Sequence, residues 1–110
     1  MAQMSMLPAL VLAALAEGPA HGYLIARRVE ERSEGRLGPR EASLYPVLHA
    51  LEQRGLVAAA WEAQGERPRR VYRLTDAGQG ALQHEREAWR SYAAAVDRVL
   101  SPRGVSRAAL

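Results

Sequence analysis

The sequence predicts a mainly α fold with one small β-hairpin, a short helical body followed by a long C-terminal helix. Three observations carry this. Three helical stretches come first, the apolar period then falls to two residues on either side of a Gly/Pro-rich connection, and a long helical run follows. At 110 residues the chain makes one domain, or one small domain with an appendage.

The first helix runs from about Met6 to Ala16. Ser5 can cap it, Pro8 falls in the first turn where no helical donor is missed, and Gly18-Pro19 stops it. It is apolar nearly all round, so it should be buried between other elements. The second helix starts near His21 and runs to about Arg32. Gly22, Ile25, Ala26 and Val29 make its buried stripe, with Arg27, Arg28, Glu30 and Glu31 in solvent. The stretch SEGRLGPRE then supplies two glycines and a proline, a loop.

In the third helix Leu44, Val47, Leu48 and Leu51 fall at i, i+3, i+4 and i+7, one face made for a core. With Ser43 as the cap, Pro46 sits in the first turn and does no harm. Gly55 lies just past the end as a left-handed cap, and Leu56 can fold back towards Leu51. The opposite face carries Tyr45 and His49, one turn apart, where solvated charge would be the ordinary content.

The stretches LVAAAWE and RRVYRL read as two strands joined by the turn-rich AQGERP. In the second strand Val71 and Arg73 alternate against Tyr72 and Leu74. Residues 66–73 hold Arg67, Arg69, Arg70 and Arg73 against Glu66, so this segment alone matches the +3 net charge of the chain. Thr75 caps the last helix, Asp76 to Leu100, which Ser101-Pro102 stops; Gly78 and Gly80 weaken its first turns.

Three helices followed by a two-stranded hairpin is the order of a winged helix-turn-helix. The organisation expected is a winged helix-turn-helix DNA-binding domain over residues 1–74, a C-terminal dimerisation helix over 75–100 and a flexible tail over 101–110. In such modules the third helix enters the major groove and the hairpin lies against the phosphate backbone. Tyr45 and His49 then belong to the face presented to DNA, together with Ser43. A phenol hydroxyl suits a phosphate better than a base, because it lacks two-point geometry. Arg67, Arg69 and Arg70 on a projecting wing fit phosphate or minor-groove contact. Tyr23, at the start of the second helix, is a further phosphate candidate beside amide donors.

In the last helix Leu82, Trp89 and Val96 are seven residues apart, with Tyr92 and Val99 at the complementary positions of the heptad and Glu85 interrupting it. At ~1.5 Å per residue the helix is roughly 36 Å long, about the width of the preceding body. A second chain is the natural cover for that seam.

Composition narrows the alternatives. All 15 basic residues are arginine and there is no cysteine, which removes disulfides, thiolate metal sites and cysteine nucleophiles and suits a reducing cytoplasm. The apolar MLPALVLAALA has no basic residue before it, contains Pro8 and is far shorter than the ~20 residues of a membrane span. His21, His49 and His84 are scattered, HEREAW is not the zinc pattern H-E-x-x-H, and Glu30 and Glu31 diverge on their helix. No metal, cofactor or enzymatic activity is expected. The competing reading is a winged helix used as a protein-interaction module, its arginines facing an acidic partner.

HGYLIARRVEER, SLYPVLHALEQRGLV and RRVYRLTDAGQGAL, in this order and spacing, resemble the successive signatures of the PadR family of bacterial transcriptional regulators, over roughly Leu7 to Leu100. The resemblance implies a dimeric DNA-binding repressor of the short type that ends in one helix. It also implies that the space between the dimer's helices can take a small planar aromatic effector, here around Trp89. GPREAS, where many members have a shorter Pro-Gly-Ser/Thr lead-in, is a departure from the family pattern, so the resemblance carries no DNA role over to Arg40 and Glu41; Arg40 is counted among the DNA-facing candidates.

Overall fold

The computed structural model describes residues 6–65 and 67–103. Among these the order is α1 (Met6–Leu15), α2 (Gly22–Arg32), α3 (Glu41–Gln53), β1 (Val57–Gln64), β2 (Arg67–Leu74) and α4 (Asp76–Leu100). Helices, hairpin and long final helix therefore stand in the expected order. The expected cap Ser5, Glu66 and the tail from residue 104 onward lie outside the described residues.

The core forms where α1, α2 and α3 meet the base of the hairpin. Val11, Leu12, Ile25, Leu44, Leu48 and Val57 are its most enclosed members, and Leu51, Leu56 and Tyr72 extend it. The i, i+4, i+7 face of α3 is thus the buried one, and Val47 packs at its margin. Helix α3 ends as the glycine implies. The Leu56 amide donates to the Leu51 carbonyl at 3.0 Å and Gly55, at φ +76°, donates to Glu52, the paired bonds of a left-handed C-terminal cap.

Two expectations need correction. Helix α3 begins at Glu41 with Arg40 as its N-cap, so Ser43 is a helical residue and not the cap. Pro46 is then the sixth residue of the helix. The carbonyl it orphans, four residues back, is that of Ala42 in the exposed first turn, where water can satisfy it. Arg28 is not simply solvated: its guanidinium donates to the Ala14 and Gly18 carbonyls at 3.0 and 2.7 Å. It therefore caps the end of α1 with a cation, where unpaired carbonyls favour one.

The strands run further than the turn-rich residues suggest. The antiparallel register pairs Val57 with Leu74 and continues to Gln64 with Arg67, so Pro68 sits in β2 opposite Ala63. Gly65, at φ +61°, supplies the left-handed residue of the connection. Thr75 joins the hairpin to α4. Its hydroxyl accepts from the Gly78 amide and donates to the Gly55 carbonyl, while its amide donates to the Leu56 carbonyl. Gly78 is buried there, and a β-carbon on it would run into the Leu56 carbonyl. The buried positions of α4 stop at Leu82, which belongs to the chain's own core.

Candidate nucleic-acid interface

The base of the wing positions the start of α2. Ala20 forms an antiparallel bridge with Tyr72, each amide donating to the other's carbonyl at 2.9 Å. The first helical bond of α2 runs from the Ile25 amide to the His21 carbonyl. The amides of Gly22, Tyr23 and Leu24 precede it, and His21 offers them no side-chain cap. A helix N-terminus is thereby held beside the basic strand β2.

Helix α3 closes the same space from the other side. The Tyr45 ring rests on Gly22, where a β-carbon would come within 3.1 Å of its hydroxyl oxygen. That hydroxyl donates to the Glu41 carboxylate at 2.5 Å. The hydrogen bond, reinforced by partial burial, pushes the phenol up to about 12, so it stays a neutral donor at physiological pH. An open cleft of about 760 Å³ results, lined by His21, Tyr23, Glu41, Tyr45, Trp61, Arg69 and Arg70 among others. Arg40 lies next door, in a recess of about 420 Å³ shared with Tyr23, Arg27 and Glu41.

The expected DNA-facing residues thus separate into three groups. Tyr23, Tyr45, Arg69 and Arg70 line one cleft. Arg40 flanks it. Ser43 and His49 are exposed along α3, and Arg67 is exposed at the start of β2; none of the three lines either hollow. The partners differ as well. Arg69 donates to the His21 imidazole at 3.0 Å, His49 meets the Gln53 amide at 3.2 Å, and Tyr23 accepts from Arg27 at 3.1 Å. Arg70 pairs with Glu52 at 2.9 Å and lies over the Trp61 ring, 5.4 Å from its centroid.

Trp61, Glu41, His21 and Glu52 escaped the sequence reading as site residues. The two-residue period could have found Trp61, since it continues the face of Val57 and Ala59 outward past the body, and it is 64% exposed. Glu41 and Glu52 become visible only once α3 is placed against its neighbours. The cleft offers backbone amides, phenols and guanidinium groups, a donor set suited to phosphate oxygens. Among the described residues no cluster of His, Asp, Glu or Cys could hold a metal ion.

Along α4, Trp89 and Tyr92 form a tilted pair with ring centroids 5.7 Å apart. They are 46% and 42% exposed, Val96 is half-buried and Val99 is 83% exposed. Leu82 does not share this exposure. Between α1 and α4 a recess of about 130 Å³, lined by Leu10, Ala13, Leu82 and Trp89 among others, opens beside the indole.

The sequence model of the transcriptional regulator PadR-like family matches residues 11–84. An uncharacterized 37.1 kDa protein in transposon TN4556 of Streptomyces fradiae is 46% identical over 76 residues, which are 69% of this chain and 21% of that protein. Transcriptional regulator Rv3488 of Mycobacterium tuberculosis is 38% identical over 73 residues, 66% of this chain and 65% of the relative. The chain therefore spans less than two thirds of either relative. Bacillus subtilis PadR, solved in complex with operator DNA, has the same fold with a TM-score of 0.65 and 21% identity, covering 93% of this chain and 51% of that one.

Proposed function

Because this chain belongs to the PadR-like family of transcriptional regulators, we propose that it is a homodimeric repressor that binds a two-fold-related DNA operator in the cytoplasm. Membership makes it a regulator of transcription and not an enzyme. Residues 1–74 form the winged helix-turn-helix that meets DNA, 75–100 the dimerisation helix and 101–110 the tail. One observation carries the reading: the N-terminus of α2, helix α3 and the arginine-bearing wing converge on a single cleft. In the family's Bacillus subtilis structure the bound molecule is operator DNA.

On this reading the α2 amides and the Tyr23 phenol hold the phosphate backbone, with Arg40 and Arg69 beside them, and Tyr45 joins them by turning its one proton from Glu41 to a phosphate oxygen. Ser43 and His49 meet the major groove along α3, and Arg67 reaches DNA from the wing. Competitive binding to duplex DNA across a salt series tests it. Arg67→Ala with Arg69→Ala should flatten the slope of log affinity against log salt by ~0.9 for each phosphate that is no longer neutralised. His49→Ala should cost ~1–3 kcal/mol at one base position if it reads a base, and Tyr45→Phe should weaken all sequences alike. A wild-type protein with no salt-dependent DNA affinity would instead favour an acidic protein partner for the arginines.

An aromatic effector is part of the proposal. The Trp89–Tyr92 pair offers a stacking surface, while the recess beside it is below the ~150 Å³ that accepts a benzene ring. The second protomer must complete the site. Stacking would contribute ~0.5–1.5 kcal/mol beyond burial, and the ligand alters repression only if it favours one arrangement of the two reading helices. A Trp61→Phe variant leaves Trp89 as the only indole. Its emission should be quenched by planar aromatics at concentrations that release DNA; emission indifferent to every such compound discards the effector site and leaves DNA binding standing.

A further inference from the structure

The wing is a lever. At ~3.4 Å per residue, Arg67 lies about 10 Å beyond Arg70, so a modest tilt at Arg70 moves the tip by more than a hydrogen bond tolerates. What fixes that tilt is therefore a functional question. Beyond Tyr72, whose pairing with Ala20 anchors the base, two wing arginines among the described residues bond to side chains of the body. Arg69 meets His21, and Arg70 meets Glu52 of α3.

Arg70 stands apart from the other wing arginines. It shares the strand face of Tyr72 and Leu74, which turns towards the body, whereas Arg67, Arg69 and Arg73 lie on the opposite face. Its cross-strand partner is Trp61, and its guanidinium sits over that indole. The Arg70 and Glu52 side chains are 36% and 32% exposed, a half-buried pair 18 residues apart in sequence. Indole face, guanidinium and carboxylate thus connect β1, β2 and α3. An arginine bonded to a carboxylate and covering a ring is poorly placed to be an independent phosphate ligand, because reaching out would forfeit both interactions.

We propose that Arg70, Glu52 and Trp61 form a latch that sets the angle of the wing against the reading helix, so that Arg70 is a positioning residue for DNA binding and not a phosphate contact. This rests on the DNA-binding reading above. It predicts an effect opposite to that of net charge. Removing a carboxylate from a basic DNA-binding face should tighten binding through the field alone; loss of the latch should weaken it.

The test uses the full chain in four forms: Glu52→Ala, Arg70→Ala, the exchange Glu52→Arg with Arg70→Glu, and wild type. Each is assayed for duplex DNA affinity across a salt series, with thermal unfolding followed by circular dichroism. Each single variant should bind about two- to five-fold more weakly, with the salt slope unchanged and the fold intact. The exchange should recover most of the affinity. In a Trp89→Phe background the emission of Trp61 should change on Glu52→Ala without DNA present, as the guanidinium leaves the ring. Tighter binding by Glu52→Ala, a slope lowered by ~0.9 in Arg70→Ala, or an exchange as weak as Arg70→Ala would each overturn the latch while DNA binding stands. Wild type without DNA affinity would remove the reading on which the latch rests.

Discussion

Gly78→Ala should destabilise the protein by about 3 kcal/mol, the upper range for forcing an atom into a packed site, and lower Tm by about 12–24 °C. Gly80→Ala, two residues on, should stabilise it by up to ~1 kcal/mol. Both glycines lie in the first turns of α4, and helix propensity alone gives the two replacements the same sign. Their surroundings do not. A β-carbon at Gly80 meets nothing within 4 Å, whereas one at Gly78 meets the Leu56 carbonyl at overlap and the Leu74 side chain at 2.8 Å. The carbonyl cannot step aside freely, since it accepts from the Thr75 amide while the Thr75 hydroxyl accepts from Gly78 itself. Alanine at 78 would have to lift the start of α4 off the hairpin. Thermal unfolding at one fixed protein concentration checks both variants, because assembly would otherwise shift Tm by mass action. Stabilisation by both would mean that α4 does not pass this close to Leu56.

The same pair marks how far the sequence is legible. Most patterns internal to one element read correctly. The Leu44/Leu48/Leu51 face, the Gly55 cap, the Thr75 cap and the alternation around Tyr72 all depend on neighbours a few residues away. What failed to show is chemistry between elements. Nothing in GYLIARRVEER distinguishes Arg28, whose carbonyl partners lie 10 and 14 residues earlier, from Arg27, whose partners lie four residues away on its own helix. The start of α3 was missed for a local reason: Ser43 is a good cap by type, but Glu41 already supplies the acidic first turn and Arg40 takes the cap without a side-chain bond. In the cleft the sequence named Tyr23, Tyr45, Arg69 and Arg70. It left Tyr45 without Glu41 and Arg70 without Glu52, since partner choice is set by how the wing docks.

The largest effect on function should come from α4 beyond the body. Tyr92→Asp combined with Val99→Asp is expected to leave the winged helix folded, convert the proposed dimer to monomer and weaken operator binding about a hundred-fold or more. Four considerations set that size. The anchor of α4 is the buried Gly78 and Leu82 at its start, so charges ten residues or more further along do not touch the core. Val99 at 83% and Leu100 at 75% exposure, with Trp89 and Tyr92, leave an apolar seam uncovered within one chain. Aspartate placed in a paired seam would be stripped of water without a partner, a cost that opposes association directly. A dimer gripping two half-sites gains ~10²–10⁴ in avidity over one winged helix, and that gain vanishes on dissociation. Sedimentation equilibrium with a two-half-site duplex and a single half-site duplex separates the contributions. The double variant should sediment as a monomer, bind the single half-site with nearly wild-type affinity and lose its preference for the paired site. A monomeric wild type would refute the dimer outright. A double variant that stays dimeric would move the interface off this seam, and equal losses on both duplexes would mean that these side chains act through the fold of the DNA-binding body.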